Sequence, residues 1–157
     1  MARRVFDKYT KVSWVTTLSS LTSPTAVQLT AGEDITTFIP KDGVRPSGTQ
    51  NTVDQGDITT QFEAKTIGTY SEDFELMGYR DDTADDFWDL CVVNTVGFLV
   101  IRRMVLYTTA YTAAQVVEVR PAQMGQPQMA NSAANENQKF SIKFAITAAP
   151  VLDAVVA

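Results

Sequence analysis

The segment Lys139-Phe140-Ser141-Ile142-Lys143-Phe144-Ala145-Ile146-Thr147 alternates without interruption. Phe140, Ile142, Phe144 and Ile146 fall on one side; Lys139, Ser141, Lys143 and Ala145 fall on the other. That two-residue period is the pattern of a strand with one face buried. Upstream, Gly97-Phe98-Leu99-Val100-Ile101-Arg102 is apolar at consecutive positions and reads as a central strand covered on both faces. Ala114 to Arg120 reads as another strand, stopped by Pro121, because proline has no N–H for a ladder. Lys11 to Thr16 is β-branched and alternating, a first strand.

The middle of the chain divides in the same way. Ile58–Ile67 and Thr69–Arg80 read as two strands separated by Gly68. In the second, Phe74, Leu76 and Gly78 share one face, and Asp73, Glu75, Met77 and Tyr79 the other. Ile35–Ile39 reads as a short strand ended by Pro40. Two polar, turn-rich stretches, residues 41–57 and 121–138, read as long loops. Ser23 with Pro24 behind it signals a short capped helical turn that ends before Gly32.

One amphipathic helix is expected over Thr83–Cys91. Ala84, Phe87, Trp88 and Cys91 recur at i, i+3, i+4 and i+7. Asp81, Asp82, Asp85, Asp86 and Asp89 crowd its polar side near the N-terminus, where the helix dipole favours anions. The fold class is therefore mainly β: a β-sandwich with one flanking helix, in a single domain spanning residues 1–157.

Composition narrows the chemistry. The 157 residues contain no histidine and one cysteine, Cys91. That removes the commonest general base and metal ligand, every Ser-His or Cys-His nucleophile system, any internal disulfide and any thiolate zinc cluster. The aspartate run lacks the glycine and terminal glutamate of a calcium loop, and Gly43 to Gly48 lacks the Gly-Lys-Ser/Thr of a phosphate loop. Cys91 sits on the apolar stripe and reads as a buried structural thiol. Arg102, Arg103, Lys139 and Lys143 read less as a small basic patch than as scattered surface charges or partners for acids on a neighbouring subunit. No catalytic residue, metal site or cofactor is expected, and the chain reads as no enzyme.

The formal net charge is -5, the wrong sign for gripping nucleic acid. The longest apolar runs, Phe98 to Ile101 and Ala148 to Leu152, are far shorter than the ~20 residues of a membrane-spanning helix. Arg3 and Arg4 have no apolar stretch behind them, so no signal peptide is read and an intracellular, soluble product is expected.

Over nearly its full length the chain resembles the major tail proteins of siphophages, especially those of actinobacteriophages. The resemblance rests on Trp14, Ser23 to Ala26 and Leu29 to Thr36. It continues through Thr52-Val53-Asp54, the acidic segment around Trp88 and the strand Phe98 to Arg102, to Ala134 to Gln138 ahead of Phe140 to Ile146 and Pro150. It implies a structural virion protein, assembled in the host cytoplasm into hexameric rings that stack as a tail tube around ejected DNA. Strands of neighbouring subunits would join one inner barrel. Tape measure protein and tail terminator are the implied partners, and the C-terminal immunoglobulin-like domain of many relatives is not expected here. Within that picture, Asp73, Glu75 and Glu63 are candidates to line the bore, whose acidic surface would let DNA slide. Arg3, Arg4, Lys41, Asp42, Arg45 and Asp54 are candidates for contacts between rings. The competing readings are another ring-forming tail component, such as a terminator, and a ligand-binding β-sandwich that uses the long loops as its site.

Overall fold

A computed structural model describes residues 7–157. Arg3 and Arg4 lie outside the described residues. The chain runs β1 (Thr10–Val15), α1 (Ala26–Thr30), β2 (Glu33–Asp34), a 3-10 turn (Thr36–Phe38), β3 (Val44–Asp54) and β4 (Lys65–Tyr79). It continues through α2 (Asp86–Leu90), β5 (Val96–Arg103), β6 (Val116–Met124), β7 (Gln128–Met129), β8 (Lys139–Ile146) and β9 (Val151–Val155). All pairings are antiparallel, in the order β2-β1-β5-β6-β8-β4-β3, with β7 on β8 and β9 on β6.

This continuous sheet closes over itself. β1 and β8 are three strands apart, about 14 Å in a flat sheet, yet the rings of Trp14 and Phe144 meet at 5.7 Å between centroids. The fold-over makes a sandwich from one hydrogen-bonded network. Its core gathers Trp14, Leu99, Ile101, Phe74, Leu76, Phe140, Ile142 and Phe144. A second core on the opposite face of β1, β5 and β6 holds Val15, Val100, Val117, Val119, Leu29 and Tyr111. β5 is thus buried on both sides, as its unbroken apolar sequence requires, and the inward set of β8 is the one its alternation gives.

Several sequence expectations are corrected. Residues 44–54 are no loop but an eleven-residue strand, β3. It is an edge strand, so Pro46 and Gly48 interrupt no outer ladder. Ile58–Ile67 and Thr69–Arg80 are not two strands. Lys65–Tyr79 is one, and Gly68 marks a bulge within it: between the pairs Gln50–Tyr70 and Thr52–Ile67, β4 carries one residue more than β3.

β6 does not stop at Pro121. It runs on to Met124, because Pro121 sits where β6 changes partner from β9 to β8. The missing N–H falls in that gap, and the Pro121 carbonyl accepts from Thr147 N at 3.0 Å. The expected loop 121–138 therefore shrinks by the end of β6 and by β7.

Ile35–Ile39 forms a 3-10 turn instead of a strand. There the Thr36 hydroxyl exchanges hydrogen bonds with the backbone of Val12, in place of a peptide group. The N-cap of α1 is Thr25, not Ser23: Thr25 accepts from Gln28 N while the Gln28 side chain accepts from Thr25 N, a complete capping box.

The helix expected over Thr83–Cys91 contracts to α2. The Asp81 carboxylate accepts from Thr83 N and Ala84 N, which folds residues 81–84 as an Asx turn. Phe87 then packs on Phe140 at 5.0 Å between centroids. That approach depends on Gly78, where a Cβ would come within 2.6 Å of both rings.

Candidate assembly interface

β3 and β4 form a hairpin much longer than the body needs. β8 accompanies β4 only as far as the pair Asp73–Ala145. Beyond Ser47 and Asp73 the two strands continue as a ribbon to Asp54 and Lys65, and every residue of that ribbon except Glu72 at its root is exposed. A lone two-stranded ribbon is at best marginally stable in water. Its outer edge is a long row of backbone groups that β3 pairs with no other strand among the described residues.

The bulge at Gly68 sets what the ribbon displays. Because it reverses the alternation of β4, Ile67 falls on the same face as Tyr70, and both are more than half exposed. Beyond the strands lies the tip, residues 55–64. There Asp57 accepts from the backbone N–H and hydroxyl of Thr59 and Gln55 N donates to Ala64 O, so the tip is folded. It holds Ile58 at 106% and Phe62 at 83% exposure, the two most exposed large apolar side chains among the described residues.

The hairpin root is fixed to the body by a chain of charges that runs through the buried Arg120. Arg120, 5% exposed, donates to Glu72 of β4 at 2.8 Å and to Glu118 at 2.7 Å, and its guanidinium lies over the Phe74 ring. Arg103 of β5 closes the chain on Glu118 at 2.5 Å. Burial pushes the Glu118 carboxyl up, but the hydrogen bonds and charges of Arg103 and Arg120 outweigh it, and its pKa ends below the ordinary value. Of these four residues only Arg103 stood out in the sequence, as a scattered surface charge, because two acids and two bases spread over Glu72 to Arg120 have no local pattern.

Arg102 is not a surface charge. It is buried and donates to the carbonyls of Leu106, Thr109 and Ala110 and to the Gln115 side chain, which folds the β5–β6 connection around it. Burial lowers its pKa, against the opposing charges of Tyr111 and Asp34. Of the other cations of the expected scatter, Lys139 lies over the Tyr79 ring, and Lys143 is exposed on the surface in register with Glu75.

The expected site residues separate into three places. Asp73 and Glu75 sit together on the face of β4 turned away from the core. Glu63 belongs to the tip, beyond the end of the strands. Lys41, Asp42 and Arg45 cluster at the root, where Arg45 pairs with Asp42 and Lys41 with Asp7. Asp54 pairs with Lys65 at the far end of β3. Val44 and Asp54 are the two ends of the eleven-residue β3, about 33 Å of strand, so the root cluster and Asp54 belong to opposite ends of the hairpin.

Register also corrects the charge of the face that bears Asp73 and Glu75. Glu75 is paired with Arg45 on β3 and Lys143 on β8, a base on each side, while Asp73 lies between Ser47 and Ala145. The surface interleaves acids and bases and is not uniformly acidic. Cys91 is buried, as its place on the apolar stripe implies; burial first and Asp85 second push its thiol up to about 12. Asp85 itself takes the Arg80 guanidinium, which stacks on Trp88. Among the described residues, no group of three or more His, Cys, Asp or Glu is gathered to hold a metal ion.

The whole chain, residues 1–157, matches the profile of the phage tail tube protein family. The chain belongs to that family. As a tail tube family member it is a structural component of a phage tail, and hence of the virion. No curated protein sequence matches it. Among solved structures it is similar to a chain of the anti-feeding prophage (AFP) baseplate, seen by cryo-electron microscopy with six-fold symmetrisation. The TM-score is 0.60 at 10% identity, over 94% of this chain and 95% of the other. At that identity the likeness is one of fold. Among the described residues, no helix of this tail tube protein is long and apolar enough to cross a membrane.

Proposed function

We propose that this protein polymerises as stacked hexameric rings to form the phage tail tube, the conduit through which DNA is ejected into the host. The exposed β3–β4 hairpin carries the reading. A ribbon with both faces, one whole edge and an apolar tip in water is a poor end state for a monomer, and copies of the chain satisfy it at no cost in specificity. The six-fold symmetry of the similar baseplate chain supports a ring of six.

In this reading the free strand margins of neighbouring subunits pair into one barrel, which removes edges altogether. The exposed face of β4, with Asp73 and Glu75, lines the bore. Acids and bases alternating across β3, β4 and β8 offer DNA no continuous cationic stripe, so few counterions are displaced and the polyanion is not held. Tape measure protein inside the tube and a terminator at its end are the partners this role requires, with assembly in the host cytoplasm.

Negative-stain electron microscopy of the concentrated protein tests the proposal. Hollow tubes of repeating rings are the expected result. A monodisperse monomer under all conditions overturns it, and isolated single rings would favour a terminator role.

A further inference from the structure

Arg102 is a buried cation that the tube reading does not use. Both terminal nitrogens of its guanidinium donate twice: Nη1 to Ala110 O at 3.1 Å and Gln115 Oε1 at 3.0 Å, Nη2 to Leu106 O at 2.9 Å and Thr109 O at 2.8 Å. Every acceptor is a neutral carbonyl oxygen, and all belong to the connection between β5 and β6. Among the described residues no carboxylate stands within ion-pair distance; Asp34 is taken by Lys11 at 3.0 Å. The buried Tyr111 ring lies 5.0 Å from the guanidinium and is anchored by its hydroxyl, 2.9 Å from Ser13 Oγ. Oxygens for the N–H edges and an aromatic ring for the face are the two surfaces that bind a planar cation.

The connection needs that cation. It turns at Met104 and Ala114, both at positive φ, a conformation that residues other than glycine adopt at a cost. It also draws several carbonyl oxygens toward one point, where without a donor they would repel and stay unpaired. From its outer side Tyr107 N donates to Lys8 O at 2.8 Å, so the connection holds the segment that leads into β1.

From this geometry we infer that the β5–β6 connection is a guanidinium-binding cage, filled from within by Arg102, whose occupancy orders residues 104–115 and the Lys8 segment held on them. Charge alone does not fill such a cage. A lysine ammonium presents its donors from one point and cannot span the spread of acceptors that the guanidinium fork reaches. Once the side chain is removed, a planar guanidinium ion is the ligand the cage takes from solution.

Arg102→Ala empties the cage, and ethylguanidinium chloride supplies the atoms removed. Amide exchange over residues 104–115, followed by mass spectrometry, reads the order of the connection, with β8 as the reference for an intact body. Exchange in that stretch should be at least about 10-fold faster in Arg102→Ala, the effect of a single charged hydrogen bond lost. Millimolar ethylguanidinium, far below denaturing levels, should restore it; ethylammonium chloride at the same concentration should not. Arg102→Lys, which keeps the charge and loses the fork, should exchange as fast as Arg102→Ala. Wild-type exchange in Arg102→Lys overturns the inference, and so does equal protection of Arg102→Ala by both salts or by neither. If Arg102→Ala does not fold, both salts are tried in its refolding: recovery with ethylguanidinium alone supports the cage, and recovery with both or with neither overturns it. None of these readouts requires assembly, so the tube reading stands or falls separately.

Discussion

Replacing Arg120 with methionine tests whether the hairpin is held at its root by buried charge. The substitution keeps the aliphatic volume against Phe74 and removes the cation that serves Glu72 at 2.8 Å and Glu118 at 2.7 Å. Glu118 retains Arg103; Glu72 is left with no other ion-pair partner among the described residues. Breaking a buried pair from one side costs about 3–5 kcal/mol. Side-chain exposures of 16% at Glu72 and 18% at Glu118 let some water in, so the lower end, about 3 kcal/mol, applies.

That is a large share of the roughly 5–15 kcal/mol that stabilises a domain. It corresponds to a fall in Tm of about 6–12 °C for a chain of this size. The pH dependence gives an independent sign. In wild type the folded-state pKa of Glu118 is lowered, so its contribution is fully present above the ordinary carboxylate value and is lost as pH falls through the folded value. In the variant, burial is opposed by one arginine fewer, so protonation relieves the strain and the gap between the two proteins narrows on acidification. Equilibrium urea unfolding of the unassembled proteins at pH 7 and pH 4 measures both effects. Adding Glu72→Gln to Arg120→Met should recover part of the loss, since the uncompensated charge goes with it. A deficit below about 1 kcal/mol at neutral pH, or one that widens in acid, refutes the reasoning.

Two further predictions follow from the exposed face and the core. Asp73→Lys with Glu75→Lys turns the Arg45–Glu75–Lys143 row into three consecutive cations; tubes should assemble normally and DNA release from particles should slow, and release at the wild-type rate removes the bore assignment. The Cys91 thiol, pushed up to about 12, stays protonated and covered at pH 8, so a thiol reagent should react with it only after unfolding; rapid labelling of the native protein would show that α2 opens.

How much was legible in the sequence depended on how local the cause was. The β8 alternation and the apolar run of β5 name their buried faces correctly, because pleat and burial act on adjacent residues. Of the apolar stripe Ala84, Phe87, Trp88 and Cys91, Phe87 and Cys91 are inside and Trp88 is half-buried, while Ala84, drawn into the Asx turn, is exposed. The reading failed where a polar segment is a strand for a non-local reason. Val44 to Asp54 contains proline, glycine and asparagine and shows no buried face, since it has none; only its partner β4 makes it a strand. Gly68 and Pro121 look like stops, but each falls at a place in the sheet that tolerates it: a bulge, and a change of partner strand.

What the sequence determined by itself was a β-rich chain with no histidine and one cysteine, whose core strands declare themselves through their period. The tertiary structure alone decided the candidate surfaces. It joined Arg103, Glu118, Arg120 and Glu72 into one chain, set bases on either side of Glu75, and carried Ile58 and Phe62 to the end of a ribbon where no described residue covers them. Periodicity reports what a residue does relative to its neighbours in sequence. Register, sheet closure and the reach of a hairpin depend on pairings between residues far apart in the chain, and those exist only once the sheet has formed.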